Sequence, residues 1–184
     1  IKSDMQISHI PVVLITARGS VREQVEGLDA GADAYVTKPF DPAYLKALLK
    51  SLLDNRAKLR SRLNDATGTE DLPSGELSPQ DVSFMEKLYR TMDEELSNPE
   101  LDINEMTRLM AMSRTKLYYK VKGLTGENPG EFFRNYKLNR AAELLRTGEW
   151  NISEIADMTG FSTLSHFSTC FKKKFGVPPS EYHG

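Results

Sequence analysis

Few side chains in this sequence are spaced for covalent chemistry. His166 and Cys170 stand one helical turn apart, which would suit a nucleophile–base pair or half of a metal site. No third ligand follows at a recognisable spacing, and Phe167 and Phe171 mark the buried face of that stretch. A packing cysteine beside a surface histidine accounts for the pair. No nucleophile, acid pair or metal cluster converges elsewhere, so neither an enzyme activity nor a cofactor is expected. What remains is cationic. Thr107 to Thr147 holds nine bases (Arg108, Arg114, Lys116, Lys120, Lys122, Arg134, Lys137, Arg140, Arg146) against three acids (Glu127, Glu131, Glu143), a local net of +6. Phe161–Pro178 adds Lys172, Lys173 and Lys174 with no acid. The chain's net charge of −2 therefore hides a basic half suited to phosphate contact.

These bases sit in a repeat. Leu117-xxx-Val121-Lys122-xxx-Gly126-xx-Pro129 recurs fifty residues later as Phe167-xxx-Phe171-Lys172-xxx-Gly176-xx-Pro179. Upstream, Met106-Thr107 with Met112-Ser113 matches Ile155-Ala156 with Phe161-Ser162. Each copy reads as a short helix, a tight turn and a second helix that opens at a capping serine, with Thr107 and Ala156 small enough for a close crossing. Gly160 supplies the turn conformation that a side chain resists. Two helix-turn-helix units fit this pattern, and so does a bundle of repeated helical hairpins.

The elements around the repeat are readable from periodicity and caps. Pro11–Ala17 is a short apolar run suited to a buried parallel strand, followed by a helix with Val21, Val25 and Leu28 on one face and Gly31 as its stop. Ala34–Thr37 returns to a strand. Asp41 and Pro42 then open a long helix striped by Leu45, Leu48, Leu49, Leu52, Leu53, Leu59 and Leu63. Residues 64–76, with four acids and no base, read as a linker. Beyond it only helices are expected: one from Ser78-Pro79, Ile103–Met110 capped by Asp102, Arg114–Lys122 capped by Ser113, and Pro129–Thr147. Ile152–Thr159 capped by Asn151, Thr163–Phe175 capped by Ser162, and a short turn after Pro178-Pro179 complete the set. No apolar run approaches the ~20 residues of a membrane span, and no basic-then-apolar leader opens the chain. Its single cysteine fits a reducing cytoplasm.

The stretch "ISEIADMTGFSTLSHFSTCFKKKFGVPPSEY" resembles the C-terminal signature of the AraC family, and "MSRTKLYYKVKGLTGENPGEFFRNYKLNRAAELL" resembles the first half of that DNA-binding domain. The resemblance runs without gaps over roughly Asp102–Tyr182. It implies two recognition helices set into successive major grooves by a rigid central helix, here Pro129–Thr147. The base-facing positions carried over are Thr115, Tyr118 and Tyr119, then Ser165, Ser168 and Thr169. Arginines and glutamines found there in some relatives are missing, so bidentate Arg–guanine readout is not available at those positions. Arg114 and Lys116 are the nearest substitutes, Lys172 and Lys173 are phosphate candidates, and either tyrosine could instead belong to the core.

Before the seam, "HIPVVLITARGSVREQVEGLDAGADAYVTKPFDPAYLKALL" is similar to the second half of a response-regulator receiver. The resemblance makes Thr16 the hydroxyl that reports phosphorylation, Lys38 the cation for the phosphoryl group, and Tyr35 the aromatic that turns inward. The family's acidic pair and phosphorylated aspartate lie in strands that this sequence lacks, and Asp4 cannot substitute. This polypeptide is therefore expected to accept no phosphoryl group and to be the C-terminal part of a longer response regulator or hybrid kinase.

Together these readings predict a mainly α chain: a flavodoxin-like partial α/β receiver segment over 1–63, a linker over 64–76, and an all-α double helix-turn-helix of about seven helices over 77–184, able to bind DNA by itself. The expected function is sequence-specific transcription regulation as the output of a phosphorelay, with an oligomerisation module as the alternative. Double-stranded DNA, an upstream histidine kinase domain, and a second copy pairing through residues 1–63 are the expected partners, with no membrane contact. For that pairing, Leu45, Leu52 and Leu59 repeat every seven residues, interrupted by Asn55 and Arg56.

Overall fold

The computed structural model describes residues 8–17, 20–73 and 75–182, so Asp4 lies outside the described residues. Strand β1 (Val13–Thr16) and strand β2 (Ala34–Thr37) pair in parallel, Val13 opposite Ala34 and Thr16 opposite Thr37. Helix α1 (Val21–Asp29) crosses between them, opened by a Ser20–Glu23 capping box. The expected strand over Pro11–Ala17 is shorter because only four of its residues have a partner. It is also less buried than a parallel strand should be. Leu14 and Ile15 are exposed, as are Val21, Val25 and Leu28 on α1. Two strands form too small a sheet to cover both faces, and among the described residues of this region Val36 is the one hydrophobic residue that is fully enclosed.

Helix α2 (Pro42–Asp65) is capped by Asp41, whose carboxylate accepts from the Ala43 amide at 2.7 Å. Its leucine stripe serves two surroundings. Leu49 and Leu53 are exposed, whereas Leu59 and Leu63 are sealed in a core shared with the later helices. Leu59 is therefore closed to the seven-residue seam expected between protomers. Ala66 joins the same core, which reaches back across residues 64–76.

The remaining helices are α3 (Pro79–Glu94), α4 (Ile103–Met110), α5 (Arg114–Thr125), α6 (Pro129–Thr147), α7 (Ile152–Met158) and α8 (Leu164–Phe175), followed by a single 3-10 turn, Pro179–Glu181. They build two cores. The first gathers Met85, Leu88, Tyr89, Met106, Leu117 and Val121 around Phe132 and Tyr136; the second gathers Ile155, Phe161, Phe167 and Phe171 around Leu138 and Ala142. Helix α6 contributes to both.

The end of α2 is fastened by reciprocal capping. A helix leaves its last carbonyls without intrahelical donors. Here Tyr89 donates to the Leu63 carbonyl at 2.9 Å and Asn139 to those of Asn64 at 2.9 Å and Ala66 at 3.3 Å, while just beyond the helix the one proton of the Tyr136 hydroxyl is shared between the Thr67 carbonyl and the Asp93 carboxylate, each at 2.7 Å. In return, Arg60 donates to the Gly123 carbonyl at 3.3 Å and Asn64 to that of Thr125 at 3.1 Å, closing the end of α5. Burial pushes the Tyr89 phenol well above its ordinary value, which keeps it a donor.

A buried ion pair joins three segments nearby. Lys120 of α5 meets Asp81 of α3, and both are fully enclosed. Ser8 completes the group, accepting from Lys120 at 2.7 Å and donating to Asp81 at 2.9 Å. His9 lies so close to Gly123 that a methyl group there would sit 2.2 Å from its ring. Burial alone would raise the Asp81 carboxyl, but the hydrogen bond and charge of Lys120, with Ser8 and Ser78, hold it below the ordinary 3.8. A carboxyl so depressed contributes stability above its unfolded value and loses it as pH falls through the folded one. Asp81→Asn should therefore flatten the loss of stability below about pH 4. At neutral pH it should cost about 3 kcal/mol by leaving the ammonium unpaired. Urea denaturation across pH measures both, and an unchanged acid limb would show that the pair is not formed.

The two units make the same turn with different residues. Ala111 at φ 53 and its counterpart Gly160 at φ 65 are both left-handed. Ala111→Gly should raise stability by about 1 kcal/mol by removing that strain. Gly160→Ala should lower it by about 2 kcal/mol, since overpacking adds to the strain: a methyl group would lie 2.6 Å from the Leu96 carbonyl. Thermal melts of both variants check the opposite signs.

Candidate nucleic-acid interface

In the first unit, α4 ends at Ala111 and Ser113 opens α5, its hydroxyl accepting from the Lys116 amide at 3.3 Å. In the second unit the cap is Thr163, whose hydroxyl accepts from the His166 amide at 3.2 Å, and not the expected Ser162. The repeat itself explains the shift. Its offset is 49 at Met112/Phe161 and fifty at Leu117/Phe167, so one residue is inserted before the second helix and the partner of Ser113 becomes Thr163.

Helix α5 buries Leu117, Val121 and Leu124 and turns Arg114, Thr115, Lys116, Tyr118, Tyr119 and Lys122 to solvent. Both tyrosines are thus surface residues, 43% and 55% exposed, their rings edge to face at 5.6 Å. Helix α8 buries Phe167 and Phe171 and exposes Ser165, Thr169, Lys172 and Lys173, with Ser168 half-buried. Thr169 donates its hydroxyl proton to the Ser165 carbonyl at 2.9 Å. Its oxygen is left as an acceptor, suited to the amino group of adenine or cytosine. Neither helix carries an acid at any position. Among α3 to α8, the first turns of α3, α4, α6 and α7 hold Asp81, Glu105, Glu131 and Glu154, whereas those of α5 and α8 hold no acid and leave their positive N-terminal ends open to an anion.

The local +6 counted from sequence is smaller at the surface. Lys120 points into the core, where its position three residues after Leu117 and four before Leu124 places it. Arg108 pairs with Glu105, and Arg140 with Glu143 at 2.7 Å. Arg146 donates to the Tyr182 hydroxyl at 2.8 Å, and Lys137 to backbone carbonyls. Among the described residues Arg114, Lys116, Lys122, Arg134, Lys172 and Lys173 enter no ion pair. Lys122 was left out of the expected site although the repeat equates it with Lys172.

His166 packs edge to face on Phe161 at 5.7 Å, while half-buried Cys170 lies against the second core. No group of three His, Cys, Asp or Glu that could hold a metal ion occurs among the described residues. None of the helices among them is long and apolar enough to cross a membrane. In the α/β segment, Thr16 and Lys38 come together at the C-terminal ends of the strands, the Lys38 amide donating to the Thr16 carbonyl at 2.8 Å. Lys38 is exposed; the Tyr35 ring lies over Gly27 of α1, where a methyl group would come within 3.1 Å.

Residues 106–184 match the family described as "Helix-turn-helix domain". The whole chain is similar to histidine kinase P4 of Formosa agariphila, 37% identical over 184 residues; that region is 99% of this chain and 13% of the kinase. Among solved structures, the C-terminal domain of AraT, a response regulator from Geobacillus stearothermophilus, superposes with a TM-score of 0.50 at 28% identity, covering 57% of this chain and 84% of that one. A transcriptional regulator of the AraC-type DNA-binding group from Chromobacterium violaceum gives a TM-score of 0.50 at 25% identity, covering 54% and 88%. Spanning 13% of the kinase, the chain corresponds to a small part of that relative.

The geometry separates two kinds of contact. Lys172→Ala should weaken binding to every DNA sequence by the same factor and lower the salt slope by about one. Thr115→Ala and Thr169→Ala should instead relax preference at particular base pairs, read by competition among single-base variants of a bound site. A uniform loss in both threonine variants would remove them from the base-facing set.

Proposed function

Residues 106–184 are an AraC-type helix-turn-helix domain, and on that premise we propose that this chain is a sequence-specific transcription regulator acting in two-component signalling. The observation that carries the reading is the pair of acid-free, base-bearing helices α5 and α8, held on one shared helix about 27 Å long at ~1.5 Å per residue. That length suits major grooves one turn, about 34 Å, apart. Thr115, Tyr118, Tyr119, Ser165, Ser168 and Thr169 face the bases. Arg114, Lys116, Lys122, Lys172 and Lys173 meet phosphate. The two tyrosines and the hydroxyl residues favour methyl, acceptor and water-mediated contacts over bidentate guanine readout.

In this reading residues 1–63 are receiver-derived and 77–184 bind DNA, with 64–76 between them. Within a longer protein, Thr16, Tyr35 and Lys38 respond to a phosphoryl group that a histidine kinase domain places on an aspartate outside this sequence, and the chain works in the cytoplasm without an enzymatic role of its own. The exposed apolar residues Val21, Val25, Leu28, Leu49 and Leu53 favour self-association through the α/β segment. A single species at monomer mass in micromolar sedimentation would remove that part alone.

The deciding experiment is selection of bound sequences from random DNA. The whole chain should be used, because Leu59, Leu63 and Ala66 belong to the first core and a cut at residue 77 removes them. An asymmetric motif of about two major-groove turns is expected, with log affinity falling against log salt at a slope of about −4.5 for five phosphate contacts. If the folded chain selects no motif, specific regulation is excluded and an oligomerisation module remains.

A further inference from the structure

The repeat serves as its own control at Gly160. Its counterpart Ala111 makes the same left-handed turn with a methyl group in place, so the turn alone does not call for glycine. What distinguishes Gly160 is a neighbour. A methyl group there would lie 2.6 Å from the Leu96 carbonyl oxygen and 2.9 Å from that of Asn98. Both belong to the segment that follows α3, in the first unit. The turn of the second unit therefore rests directly on the first.

Lys137 fastens this contact. It lies on α6 immediately after Tyr136, which serves the first core, and before Leu138, which serves the second. Its ammonium donates to the Asn98 carbonyl at 2.8 Å and to the Gly160 carbonyl at 3.3 Å, one acceptor in each unit. Burial pushes the amine below its ordinary value, while Glu95 opposes that shift. An ammonium can bridge two carbonyls from a third element because it offers three donors on a long stem.

The geometry points to Lys137 as a positioning residue that fixes the rotation of the second recognition helix relative to the first, and so sets the half-site spacing that the protein accepts. This rests on the DNA-binding reading above, with Lys137 acting through the two units rather than on the nucleic acid. One base pair added between half-sites turns one groove by about 35° relative to the other. Only a protein whose two units cannot swivel by that amount discriminates strongly against it.

The test has one readout without DNA and one with it. Spin labels at Arg108→Cys in α4 and Ser153→Cys in α7, with Cys170→Ser, report the distance distribution between the units. The unaltered Lys137 background should give one narrow distribution, K137M and K137Q a broadened one, and K137R a narrow one again. On DNA, K137M should bind the selected site roughly tenfold more weakly and distinguish less between that site and versions one base pair longer or shorter. K137R should restore the discrimination. An unchanged distance distribution in folded K137M or K137Q overturns the inference whether or not the chain binds DNA. So does a loss equal at all spacings with a salt slope reduced by about one, which would make Lys137 a phosphate contact. Absence of any selected motif with a broadened distribution would sink the DNA reading and leave the bridge standing.

Discussion

Helix α6 gives Phe132, Phe133 and Tyr136 to one core and Leu138, Ala141 and Ala142 to another, a changeover completed across the single residue Lys137. A helix of nineteen residues can do this because it presents a new face every few positions. The separate presentation of α5 and α8 depends on that division. Were α6 amphipathic in the ordinary way, with one stripe, both units would have to share one core and could not present separate helices. Its caps hold the element to length: Asn128 accepts from the Glu131 amide at 3.0 Å, and Gly148 ends it in a left-handed turn.

The second dependency is at the end of α2, where polar side chains carry the tie between segments. Tyr89 of α3 and Asn139 of α6 bind carbonyls that the end of α2 cannot satisfy itself, and Arg60 and Asn64 of α2 do the same for the end of α5. Such bonds are directional, so α2 cannot slide or rotate without leaving buried groups unpaired, which costs more than the bonds themselves contribute. The Lys120–Asp81–Ser8 group acts in the same sense. It joins residues 8, 81 and 120, which lie far apart in sequence, in a site without water access.

Most elements were legible because their signals are local. Asp41, Asp102, Ser113 and Asn151 cap the helices they precede, and the fifty-residue repeat locates both units. The cap before α8 was misplaced at Ser162 because the inserted residue shifts only half of the repeat, and two hydroxyl residues stand side by side there. Exposure of Tyr118 and Tyr119 was left open, since a bulky aromatic suits either face of a short helix. The inward turn of Lys120 was hidden by its charge type although its spacing from Leu117 and Leu124 is that of a core residue. The capping of the end of α2 by α3 and α6, that of α5 by α2, and the bridge made by Lys137 are not readable at all. They rest on contacts between residues 23 to 75 positions apart, for which a single sequence gives no signal.

Leu59 and Leu63 are the buried residues of α2, while Leu45, Leu48, Leu52 and Arg56 before them are only half-buried, so the helix is a rod held most firmly at one end. At ~1.5 Å per residue its loosely held arm is about 25 Å long and its gripped part about 10 Å. In mechanical terms this is a lever with the longer arm on the N-terminal side. A sideways displacement applied near Asp41 reaches the far end of the grip at Asp65 reduced by a factor of about 2.5, with force raised in the same ratio. Such an arrangement turns a displacement at the α/β segment into strain on a few hydrogen bonds at α5 and α6 rather than into a long travel of those helices.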